Sequence, residues 1–102
     1  MNTKPIPDQA GIPVPTHAVE VDDWESGGRT IYGPTYEVGD VRLGTACAQR
    51  PDGTTGDAEV FVDRRVPSGW RDTGIVLNPA DAEQLARNLA EAAAVVRAWS
   101  PR

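Results

Sequence analysis

Apolar and polar positions alternate with a period of two from residue 17 to residue 77, and with a period of 3.6 from Asn78 onward. The first pattern marks half-buried strands. In Ala18–Trp24, Val19 and Val21 alternate with Glu20 and Asp22. Thr30–Val38 carries Ile31, Tyr32, Tyr36 and Val38, and Pro34 in its middle demands an edge position or a bulge. Val41–Gln49 sets Val41, Leu43, Thr45 and Cys47 against Arg42, Gly44, Ala46 and Ala48. Ala58–Asp63 sets Ala58, Val60 and Val62 against Glu59, Phe61 and Asp63, and Thr73–Leu77 supplies a fifth strand. Turn signals lie between them, at Ser26-Gly27-Gly28, Gly39-Asp40, Pro51-Asp52-Gly53 and Pro67-Ser68-Gly69. Turns this tight join antiparallel neighbours.

Leu77-Asn78-Pro79-Ala80-Asp81 is a dense helix start. Asn78 suits the N-cap, Pro79 the first helical position, and Asp81 the positive end of the helix dipole. Leu85, Leu89, Ala92, Val96 and Trp99 then form one apolar stripe, and the pattern stops near Ser100-Pro101. About 21 residues at 1.5 Å each give roughly 31 Å, enough to cross a small sheet. The predicted fold is therefore α+β: a five-stranded antiparallel meander with one long helix packed on one face. Residues 1–16, with Pro5, Pro7, Pro13 and Pro15, read as a flexible arm. Residues 17–102 read as a single domain.

Composition narrows the function. Ten basic residues against fifteen acidic ones leave a net charge of -5, the wrong sign for a general nucleic-acid binder. One cysteine, Cys47, excludes an internal disulfide and a cysteine-only zinc site, and one histidine, His17, excludes a two-histidine metal site. Glu20, Asp22, Asp23 and Glu25 lie at strand spacing and read as a solvated face rather than a cation loop. No glycine cluster has the spacing of a phosphate loop. No cofactor, metal or catalytic residue is expected. The absence of a membrane-length apolar run or a secretory leader reads as a cytoplasmic protein.

Two surfaces remain. If Val19, Val21, Val38, Leu43, Val60, Val62, Ile75 and Leu77 meet the helix, then Gly44, Ala46, Ala48, Phe61, Gly74 and Val76 point away from it. That outer face is smooth and weakly apolar where a wetted sheet carries polar side chains. It invites a second copy of the chain, with Ala46, Ala48, Phe61 and Val76 as the contact residues. Alternatively, Arg64, Arg65, Trp70 and Arg71, on the Arg/aromatic side of the sheet, could contact single-stranded nucleic acid or regulatory DNA. Against this, the six arginines of residues 29–71 are matched by six acids. The small residues Ala86, Ala90, Ala93 and Ala94 offer a further contact surface on the helix.

The run Ile75-Val-Leu-Asn-Pro-Ala-Asp-Ala-Glu-Gln-Leu-Ala-Arg-Asn-Leu-Ala-Glu-Ala-Ala resembles the strand-then-helix close of many small uncharacterised actinobacterial and mycobacteriophage proteins, and Ile31-Tyr-Gly-Pro-Thr-Tyr is in keeping with them. The resemblance implies a small accessory protein of phage or mobile-element origin and carries no catalytic residue with it. The expectation is a non-enzymatic protein that works by protein contact, as a homodimer or with a host or phage partner, without a membrane.

Overall fold

The computed structural model describes residues 11–100. One antiparallel sheet holds β1 (Glu20–Val21), β2 (Arg29–Tyr32), β3 (Tyr36–Val38), β4 (Val41–Gln49), β5 (Thr55–Val66) and β6 (Gly69–Leu77), and the helix α1 (Pro79–Trp99) follows. The sheet order is β1-β2-β4-β5-β6, with β3 also paired to β4. The fold is α+β, as the change of period indicates.

Six strands replace the expected five because Pro34 divides one of them. β2 and β3 occupy the same side of β4, with Ile31 opposite Cys47 and Tyr36 opposite Leu43. Between them Pro34 has no N–H to give to the ladder. The Thr45 hydroxyl closes the gap by donating to the Pro34 carbonyl at 3.0 Å. The Gly33 amide still reaches the Thr45 carbonyl at 3.0 Å.

β5 and β6 form a longer hairpin than the alternation alone predicts. Polar residues extend the ladder, with Arg64 opposite Arg71, Arg65 opposite Trp70 and Val66 opposite Gly69. Two residues of β6, Thr73 and Gly74, bulge out of the register between the pairs Val62–Ile75 and Asp63–Asp72. Gly74 takes φ +80° there, a conformation open to glycine at little cost. Asp72 accepts from the Gly74 amide at 2.8 Å, and the Thr73 hydroxyl donates to the Val62 carbonyl at 2.7 Å.

The polar centre of the structure is Gln49, 2% exposed. Its Oε1 accepts from Arg29 Nε at 2.8 Å, and its Nε2 donates to the carbonyls of Pro13 and Gly53 at 3.1 and 3.2 Å. Residues 11–16, which the composition assigns to a flexible arm, are thus tied to the end of the sheet. Residues 1–10 of that arm lie outside the described residues.

The helix runs where the sequence places it. Asn78 Oδ1 accepts from the Asp81 amide at 2.8 Å, Pro79 opens the first turn and Ser100 caps the end. It is not packed on the sheet, however. No residue of α1 is buried, and its sparse contacts with the sheet fall on β5 and β6. The reason is the connection. Only Asn78 separates β6 from α1, and it is extended, at φ -75° and ψ 169°. The proline that follows restricts it to that region, so there is no loop in which to turn back. Connections between strand and helix usually take about 2–6 residues. A nine-residue strand of roughly 30 Å followed by a helix of roughly 31 Å accounts for the 63 Å long axis of the molecule. The radius of gyration is 17.9 Å, against about 13 Å for a compact chain of 100 residues.

A candidate interaction surface

Cross-strand partners share a face of the sheet, so the register sorts the side chains. Leu43 faces Val62 and Thr45 faces Val60, while Val60 faces Leu77 and Val62 faces Ile75. With Ile31 and Cys47 these make one aliphatic face, the one expected to receive the helix. Uncovered, it leaves Val41, Val38, Tyr36 and Ile75 exposed, and Ile31 is the sole buried apolar residue among those described. Its centre sinks into an open depression of about 390 Å³ bordered by Pro15, Ala18, Tyr36, Cys47, Val60 and Pro79. The Cys47 thiol is free and half-buried there.

The helix presents the complementary surface. Leu85, Leu89, Val96 and Trp99 recur on one side, and all are exposed, Leu89 by 60% and Trp99 by 78%. Polar residues hold the rest of the helix together: Gln84 donates to Asn88 and accepts from Arg87, at 2.9 and 2.8 Å. An apolar stripe of this kind is what a helix normally buries. Here the stripe and the aliphatic face are both left to solvent within one chain.

The opposite face of the sheet is differently built from what the residue types imply. Phe61 and Val76 are cross-strand partners, with Gly44 on the other side of Phe61. The Phe61 ring lies against the Gly44 backbone, in the space a Cβ would take. Ala46 and Ala48 are half-buried, opposite Glu59 and Gly56. Ala46, Ala48, Phe61 and Val76 share this face but not one degree of exposure: Val76 is 50% exposed and the other three are half-buried. The gap that glycine leaves is filled from within the chain, and Glu59 breaks the surface.

The four residues of the alternative reading do not come together. Arg64 pairs with Arg71 and Arg65 with Trp70. Neighbouring residues of a strand point to opposite faces, so Arg64 and Arg71 share the aliphatic side while Arg65 and Trp70 lie on the other. Around Trp70, Arg42 and Arg65 stack with their guanidinium carbons 5.0 and 4.4 Å from the ring centroid. Arg42 donates to Asp63 at 2.9 Å, and Arg65 lies 3.9 Å from Glu37 and 3.7 Å from Asp40. This cluster is neutralised and stacked within the chain.

The acids of the first strand behave as a solvated edge with one internal contact. Asp22 accepts from the Tyr32 hydroxyl at 3.2 Å. Desolvation first, and then the Asp22 charge, push the Tyr32 phenol above its ordinary value. Nearby, Arg29 stacks over Trp24 at 4.3 Å. Sequence reasoning missed Gln49, Trp24 and Arg29 as a unit, because nothing in their spacing couples residues twenty positions apart. Among the described residues no helix is long and apolar enough to cross a membrane. Comparison with protein families, curated proteins and solved structures finds no match.

Proposed function

We propose that this protein is a non-enzymatic association module, a small accessory factor that works by protein contact and pairs first with its own second copy. The observation that carries this reading is the joint exposure of the α1 stripe and the aliphatic sheet face. Burying an aliphatic side chain is worth ~1.5–3 kcal/mol, and a chain that leaves this many uncovered gains strongly from a partner. An accessory role is in keeping with the resemblance of the closing segment to small phage and actinobacterial proteins. The stacked and paired state of Arg42, Arg65 and Trp70 favours protein contact over nucleic acid.

Sedimentation or light scattering on the full chain at tens of micromolar tests the reading. Twice the chain mass is expected for the wild type, and a single-chain mass for Leu89→Glu. A wild type that stays at one chain mass would overturn it.

A further inference from the structure

We infer that the two copies exchange helices: α1 of each protomer lies across the aliphatic sheet face of the other, and neither covers its own. This rests on the association proposed above and specifies its architecture. Three observations carry it. First, the one-residue extended link at Asn78, fixed by Pro79, directs the helix past the end of its own sheet. The surface it was expected to cover lies behind it. Second, the two exposed surfaces are complementary and on the same chain, so a two-fold exchange satisfies both at once in each protomer. Third, the exposure is extensive on both surfaces. Leu89, Val96 and Trp99 of the stripe are 60, 56 and 78% exposed, and Val38, Val41 and Ile75 of the face 79, 44 and 49%, the large apolar surfaces that permanent homodimers bury.

The competing arrangement pairs the two helices with each other. Leu85, Leu89, Ala92, Val96 and Trp99 do have the spacing of a short coiled-coil seam. Helix pairing leaves the aliphatic face and its depression open to water. Exchange closes them, and is favoured for that reason.

The single native cysteine gives a direct test, since Cys47 borders the depression. A second cysteine is placed in turn at Leu85, Leu89, Ala92 and Val96, and at Glu91 on the polar side as a control. Isotopically light and heavy chains are mixed, oxidised and peptide-mapped. At one or more stripe positions, exchange yields disulfides between Cys47 of one chain and the helix cysteine of the other, two per dimer, and the Glu91 variant yields none. Bonds between two helix cysteines, or between Cys47 and the helix of the same chain, would overturn exchange while leaving a dimeric wild type intact. A second variant inserts five Gly/Ser residues between Leu77 and Asn78, so that the Asn78 cap stays with its helix. With a loop long enough to turn back, the helix covers its own sheet, and the dimer becomes a monomer of unchanged helicity by circular dichroism. If this variant remains dimeric at tens of micromolar, helix exchange is wrong, even though association stands.

Discussion

The ring of Phe61 rests on the bare backbone of Gly44, its cross-strand partner. A methyl group on Gly44 would meet that ring, and the ring has to shift for both to fit. Gly44→Ala should therefore destabilise by ~1–3 kcal/mol, the usual cost of overpacking. Trimming the ring should relieve the clash, so Gly44→Ala with Phe61→Leu should be more stable than the sum of the two single changes. A double-mutant cycle in urea measures this coupling, and simple additivity would show that the two residues do not share the space.

Leu89 is 60% exposed in the isolated chain. Within a monomer, Leu89→Ala would fall within about 0.5 kcal/mol of the wild type. In the dimer it would cost ~2–5 kcal/mol, because the side chain is then enclosed. The wild-type melting temperature should rise with protein concentration, and Leu89→Ala should flatten that dependence. Calorimetry over a hundredfold concentration range decides between the two.

Gln49 holds three separate stretches of chain through Arg29, Pro13 and Gly53. Gln49→Leu keeps the bulk and removes the hydrogen bonds. One guanidinium nitrogen of Arg29 is already buried without a partner, and the change would orphan a second. A loss of ~1–3 kcal/mol is expected. Hydrogen exchange should show the loosening first in residues 11–16, and unchanged protection there would refute the tethering role.

Asp52 caps the turn between β4 and β5. Its Oδ1 accepts from the Thr54 hydroxyl at 2.7 Å and from the Thr54 amide at 2.9 Å. The hydroxyl bond first, then the amide bond, hold the carboxyl below its ordinary value of 3.8. A carboxyl depressed by folding adds stability above its unfolded pKa and loses it as pH falls through the folded one. The turn should thus loosen only below about pH 4. Thr54→Val should raise the Asp52 midpoint in a carbon-13 titration, and an unmoved midpoint would deny the hydroxyl its part.

What could be read from the chain was whatever depends on neighbours in sequence. The Asn78–Asp81 cap, the helix stripe and the hairpin turns all declare themselves within a few residues. Pro34 announced an interruption, although whether it would bend a strand or divide it depended on Thr45, eleven positions away. Leu43, Val60, Val62, Ile75 and Leu77 share the face that their alternation predicts, but the helix of their own chain does not cover it. Hydrophobic periodicity says that a surface wants burial and does not say against what. The information that would have corrected this was local after all: one residue between strand and helix, followed by proline, leaves no room to return. On the outer face the missing information is non-local. Gly44 and Phe61 look like separate small and large positions until the register sets one upon the other.

The interruption at Gly33-Pro34-Thr35 and the bulge at Thr73-Gly74 lie on the two outer margins of the sheet. Long unbroken margins are templates for further strands, and hence for fibrils. Here one margin is cut in two and the other is kinked, so neither offers a continuous row of free amides and carbonyls to another molecule. A chain with so much exposed aliphatic surface is in particular need of such protection. Strand-by-strand growth is discouraged at both margins, which leaves the helix stripe and the sheet face as the apolar surfaces open to contact.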